Sequence, residues 1–248
     1  MQPVIATPEA LSDAERDRYQ RTMAIEGFGE DAQGRLKAAT VCCIGAGGLG
    51  GPVLQYLVGS GVGRVIVVDD DVVEERNLQR QTLYGTATLG ASKADSAVAR
   101  LRDLNPLVEL VPVAQRITPE SVDAILGDCD VVVDAVDNLP TRLVVADACQ
   151  RLDLPLVFGA VQAVNGQVTV LWERHGLALS DLFPNPPQSC PTASEVGVLG
   201  PMTGWVGSVM ATEVVKLIAG IGEPLLGRVM YIDTLGARVV ELPLSGRN

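Results

Sequence analysis

Apolar residues along this chain follow two rhythms. Short, mostly unbroken runs at residues 41–44, 65–68, 108–113, 131–136 and 156–160 read as strands buried on both faces. Between them, residues 51–59, 92–105, 119–126 and 142–152 carry apolar positions at helical spacing. Strand and helix in alternation predict an α/β fold, a Rossmann-like, mostly parallel sheet with helices on both faces. From about residue 157 the rhythm changes. VFGAVQAVNGQVTVLW places Asn165-Gly166 between two β-rich runs, which predicts a hairpin turning there. RVMYIDTLGARVVEL predicts a second hairpin turning near Leu235-Gly236, so antiparallel strands continue the sheet in the C-terminal part. A loop rich in Pro, Asn and Ser, residues 180–194, and an apolar helix over about 204–219 lie between the hairpins. Residues 9–28, with Leu11, Tyr19, Met23 and Ile25 among charges, predict an N-terminal helical arm.

Composition narrows the partners. The formal net charge of −11 over 248 residues argues against a nucleic-acid partner, because neutralising phosphates needs a basic footprint. Apolar runs of membrane-spanning length and a signal-peptide core are both missing, so no membrane partner and a cytoplasmic location are expected. The five cysteines form no CxxC pair and suggest no disulfide framework. His175 is the only histidine, which leaves a His-based metal cluster or a Ser–His–Asp triad without parts.

The chemistry concentrates after the first strand. Gly45, Gly47, Gly48 and Gly50 in GAGGLG sit between a strand and a helix, where backbone can approach a phosphate and helix N–H groups can hold it. Asp69 ends the second strand, where an acid can take both ribose hydroxyls. Every dinucleotide-binding oxidoreductase shares that much. Asn77, Arg80, Gln81 and Lys93 come next, and they suit an enzyme that attacks the α-phosphate of ATP.

With these residues in place the chain resembles the MoeB/ThiF/HesA family, the ubiquitin-activating-type adenylyltransferases. The resemblance runs from Arg18-Tyr19-Gln20-Arg21 through GAGGLG, VDDDVVEERNLQRQ and Lys93 to DAVDN at Asp134–Asn138, then into NGQVTVLW and GVLGPMTGWVGSVMATEVVKLIAG. It implies a single ThiF-type domain over residues 1–248: an arm at 1–30, a nucleotide-binding half at 31–160, and a carrier-binding and dimerisation half at 161–248 containing the 180–194 loop. It further implies ATP-dependent activation, as an acyl-adenylate, of the C-terminal Gly carboxylate of a ubiquitin-like β-grasp sulfur carrier ending in Gly-Gly. Arg80 and Lys93 then hold the β and γ phosphates while Asn77 and Gln81 orient them. Asp137 ligates Mg²⁺ near the α-phosphate, with Asp71 a second candidate for ribose or metal contact. Arg21 crosses a homodimer axis to the partner's ATP.

The chain departs from the family in two places. Relatives that hold a structural zinc do so with two CxxC pairs, and none exists here, so no zinc is expected. The family cysteine that can be linked to the carrier is replaced by Ala193. The expectation is a chain that adenylates only, with Cys190 as the alternative nucleophile in the same loop. Rival readings are an NAD(P)-dependent oxidoreductase, which leaves Arg80 and Lys93 idle, a non-catalytic scaffold, and a family member adenylating a different carboxylate.

Overall fold

The structure, a computed structural model, describes residues 2–184 and 193–246. Its sheet has eight strands: β1 Thr40–Ile44, β2 Arg64–Val68, β3 Glu109–Val113, β4 Val131–Asp134, β5 Leu156–Gln162, β6 Asn165–Leu171, β7 Arg228–Asp233 and β8 Arg238–Pro243. Their spatial order is β3-β2-β1-β4-β5-β6-β7-β8. The pairs from β3 to β5 are parallel, and those from β5 to β8 are antiparallel. The order reverses between β1 and β4, opening a crevice at their C-terminal ends where α/β sheets bind ligands.

Alternation along each strand divides the core. Val41 and Cys43, with Val65, Val67, Val131 and Val133, pack beneath helices α2 Gly29–Ala38, α3 Gly50–Gly59, α4 Lys93–Leu104 and α9 Gly200–Ala219. Cys42, Ile44, Ile66, Val68 and Val132 face α5 Val122–Leu126 and α6 Leu139–Leu152 on the other side. Both faces of the parallel strands are therefore covered, which is why they read as apolar runs and not as alternating ones. Pro112 breaks the β3 run without penalty because β3 is an edge strand.

Three expectations change. The arm holds α1 Asp13–Met23, capped by a reciprocal Ser12–Glu15 box, and a separate helix, α2, follows it. That second helix shows only Ala32 and Leu36 as an apolar stripe, and it buries polar Gln33, whose amide donates to the Ser60 carbonyl at 2.8 Å. The first hairpin turns at Ala163-Val164, with Ala163 at φ 54°, and Asn165 already pairs with Gln162. Gly166 is a strand residue: a Cβ there would overlap Met202 and Val206 of α9, so the glycine serves close helix packing, not a turn. Helix α9 starts at Gly200, four residues before the expected 204, because Pro201 is tolerated in a first helical turn. The second hairpin turns where expected, around Leu235-Gly236.

The remaining short helices are α7 Leu179–Leu182 and α8 Ala193–Val196. Cys190 and residues 185–192 of the expected loop lie outside the described residues. His175 is exposed in a short turn beside Trp172, as a solvated turn residue should be.

Candidate nucleotide site

The glycine turn is pinned from both neighbouring strands. Gly45 donates its N–H to the Val68 carbonyl of β2 at 2.8 Å, and Ala135, just past β4, donates to Ile44 at 2.9 Å. Gly45 has φ +93°, and a Cβ on it would lie 2.6 Å from the Ala135 carbonyl oxygen. Only glycine fits both conditions. Gly50 begins α3 directly against Gly45, so the N-terminal end of the helix faces the crevice. Gly47 and Gly48 are looser, since their Cβ positions meet only side chains, Gln81 at 3.3 Å and Thr203 at 3.1 Å.

Asp69 stands across the turn. Its Oδ2 accepts the Ala46 N–H at 2.8 Å and its Oδ1 accepts the Asp71 N–H at 2.9 Å. Burial pushes its carboxyl above the usual range, opposed by the Lys93 charge and by those two N–H donors. Lys93 enters from the first turn of α4. Its backbone N–H donates to the Asp71 carbonyl, and its Nζ lies 2.8 Å from Asp71 Oδ2. Only 6% of the Lys93 side chain is exposed, against 67% for Asp71, so a buried ammonium is held by a carboxylate on the rim. Asp69, Asp71 and Lys93 thus form one connected unit.

Asn77 lies in a 3-10 turn, Glu75–Asn77, and its carbonyl accepts the N–H groups of both Arg80 and Gln81. The Asn77 and Gln81 side chains are buried, and Asn77 Oδ1 and Gln81 Oε1 have no hydrogen-bond partner among the described residues. Buried amides with an unmade bond are costly, which marks this wall as a surface for a polar ligand. Arg80 is half-buried; its side chain reaches the Arg76 carbonyl at 3.4 Å and pairs with no carboxylate among the described residues.

Asp137 follows β4 and is exposed at the same end of the sheet. Mg²⁺ commonly takes one or two carboxylates and completes its shell with water and substrate phosphates. A single free carboxylate beside a phosphate-binding turn fits that habit, and among the described residues no cluster of three or more metal-ligating side chains exists to form a protein cage. Arg21 does not join this site within its own chain. Tyr19, two residues earlier, packs on Gly61 and accepts the Asn105 amide at 2.8 Å, and both neighbours lie at the N-terminal ends of β2 and β3, opposite the crevice. Arg21 itself is exposed.

Several residues of the site have no role that the sequence alone assigns. Tyr84 is buried and donates its hydroxyl to the Ala46 carbonyl at 2.7 Å, clamping the glycine turn from below. Thr203 of α9 packs on Gly48 and reaches the Arg80 carbonyl at 3.4 Å. Asp134 and Arg142 form an ion pair, both buried, behind Asp137.

A glycine turn at the switch point, an acid just past β2 and a buried lysine linked to it through Asp71 mark a Rossmann-type domain. The chain belongs to the ThiF family, whose model matches residues 19–248. It is 48% identical over 230 residues to the sulfur carrier protein adenylyltransferase of Thermus thermophilus, covering 90% of this chain and 85% of that protein. It is 42% identical over 236 residues to the SAMP-activating enzyme E1 of Haloferax volcanii, covering 94% and 87%. Among solved structures, E. coli MccB with MccA-N7isoASN superposes with a TM-score of 0.82 at 22% identity, over 96% of this chain and 73% of that one, a likeness of fold. Among the described residues no helix is long and apolar enough to cross a membrane.

Proposed function

We propose that the chain adenylates the C-terminal Gly carboxylate of a ubiquitin-like sulfur carrier. The observation that carries this reading is the buried Lys93 ammonium, joined through Asp71 to Asp69 beside the glycine turn. A hydride-transferring enzyme binds its cofactor with the turn and the acid alone; a cation placed here answers a triphosphate. The naming of relatives 48% and 42% identical supports the same substrate class.

In the reaction, a carboxylate oxygen of the carrier attacks the α-phosphorus of ATP. The new C(O)O–P bond forms as the bond to the pyrophosphate oxygen breaks, and pyrophosphate leaves with that electron pair. The nucleophile is already an anion, so no general base is needed; the obstacle is one anion approaching another. Catalysis therefore falls to cations and fixed N–H dipoles. The α3 N-terminus and Gly45–Gly50 cradle phosphate, Asp69 takes the ribose, and Arg80 and Lys93 neutralise the departing pyrophosphate. Asn77 and Gln81 orient it through their side-chain amide N–H groups, the donors a phosphate oxygen can accept. Asp137 holds Mg²⁺, which when bound supplies further charge neutralisation at the phosphates. Arg21, far from its own crevice and unpaired among the described residues, serves the site of a second copy in a homodimer. Ala193 provides no thiol, so the chain stops at the adenylate.

The test is ATP–pyrophosphate exchange with Gly-Gly-terminated carrier proteins, each compared with its tail-deleted form. Exchange that depends on one carrier's tail is the expected result. Exchange with none of them, alongside measurable ATP binding, would overturn the assignment of the acceptor.

A further inference from the structure

Among the described residues the Asp137 side chain has no hydrogen bond of its own to hold it, yet the chain on either side of it is fixed. On its N-terminal side Val136 is held at both polar groups. Its N–H donates to Asp134 Oδ1 at 3.2 Å, and its carbonyl accepts Arg142 Nη2 at 2.7 Å. On its C-terminal side the Asn138 side chain caps α6 by accepting the Thr141 N–H at 3.0 Å. The same Arg142 nitrogen also donates to the Gly159 carbonyl of β5 at 3.0 Å. Arg142 Nε lies 3.1 Å from Asp134 Oδ2, a charge contact without a well-directed hydrogen bond. The guanidinium rests 4.3 Å from the centroid of the Phe158 ring.

These contacts converge on one side chain. Asp134 is fully buried and Arg142 is 8% exposed, so neither serves solvent or solubility. A guanidinium matches this demand because its planar fork can serve a carboxylate and two carbonyls at once; an ammonium is a compact point charge on a flexible stem.

We propose that Arg142 is a positioning residue for Asp137. By tying the end of β4 and the Val136 carbonyl to β5, it fixes the angle at which the Asp137 carboxylate meets the metal and the nucleotide phosphates. This rests on the reading of Asp137 given above.

The experiment compares the full-length protein with its Arg142→Lys variant, which keeps the charge opposite Asp134 and loses the fork. ATP binding without metal is measured by calorimetry, Mn²⁺ binding in the presence of ATP by electron paramagnetic resonance, and kcat by pyrophosphate exchange. The expected result is unchanged metal-free ATP binding with Mn²⁺ affinity weakened about tenfold or more, the scale of losing a ligand's supporting partner. The drop in kcat should exceed any change in KM for ATP. If Arg142→Lys does not fold, the neutral pair Asp134→Asn/Arg142→Gln takes its place with the same expectation. A folded variant with parental Mn²⁺ affinity and kcat overturns the proposal. So does an equal loss of ATP and metal binding, which marks general unfolding of the crevice. Asp137→Ala tells the two readings apart: if it binds Mn²⁺ normally, the metal role itself falls. If it loses Mn²⁺ while Arg142→Lys does not, only the positioning role falls.

Discussion

Replacing Gly47 by alanine separates the two reasons for a glycine at this turn. Gly47 has no positive φ, and a methyl there meets only the end of the Gln81 side chain, 3.3 Å from Nε2. That side chain can give by a few tenths of an ångström. The reduced freedom of the unfolded chain works in the opposite direction, so stability is expected to stay within about 1 kcal/mol of the parent. The methyl nevertheless projects toward the wall proposed to receive the phosphates, and ATP affinity should fall at least about tenfold, or ~1.4 kcal/mol. Gly50→Ala is the contrasting case. Its Cβ would overlap the Gly45 carbonyl oxygen and lie 2.8 Å from the carbonyl carbon. That is well inside the ~3.5 Å at which non-bonded carbon atoms rest against each other. Both partners are backbone, and Gly45 is tied to Val68, so neither can yield cheaply. Overpacking of this kind costs about 3 kcal/mol. Urea unfolding and ATP calorimetry on both variants decide the matter. Parental ATP affinity in Gly47→Ala would refute the claim that this glycine exists for phosphate approach. Parental stability in Gly50→Ala would refute the steric argument for the turn.

Three further outcomes are expected. Lys93→Ala should lower kcat for pyrophosphate exchange about 100- to 1,000-fold, the scale of removing one transition-state charge partner; a smaller effect than tenfold would place the lysine outside the chemistry. Arg21→Ala and Arg80→Ala, each inactive alone, should recover about a quarter of parental activity when equal amounts form mixed dimers, because half the dimers then carry one intact site of two. No recovery in subunit-exchange assays would count against a shared site. Glu15→Gln tests the arm. Burial alone would raise the Glu15 carboxyl, but the hydrogen bonds from Lys37 and Ser12 and the Lys37 charge bring it below its ordinary 4.5. A lowered acid stabilises the fold above its unfolded value and loses that contribution as pH falls through the folded one. The variant should therefore be about 0.5–1 kcal/mol less stable than the parent at pH 7, and in urea titrations the gap should close as pH falls below 4.5 and through the lowered folded value.

What could be read from the sequence was whatever has a fixed spacing. The five parallel strands were visible because burial on both faces leaves only apolar residues. The glycine turn, Asp69 and Lys93 were visible because strand, turn and helix put them at set intervals. Helix α2 was not, since two apolar positions and a buried glutamine make too narrow a stripe. Asn165-Gly166 misled because an Asn-Gly pair signals a turn locally, while the demand on Gly166 comes from α9 across the sheet. Tyr84, Thr203 and Arg142 act through partners 38, 123 and 17 residues away. Spacing along one chain holds no trace of such pairings, which only the folded packing brings about.

Helix α9 touches both halves of the molecule at their tightest points. Gly207 lets it press against the Leu49 carbonyl and Pro52 where α3 begins, Thr203 bears on Gly48, and Met202, Val206 and Met210 press on Gly166 and Gly159 of the antiparallel strands. The helix therefore works as a spacer rod of fixed gauge, setting the distance between the phosphate cradle and the strands that lead away from it. Exchanging the C-terminal strands to change acceptor preference leaves the cradle undisturbed only when the rod's small contact residues travel unaltered. A bulkier residue at position 207 would shift the nucleotide turn without touching a single ligand-binding side chain.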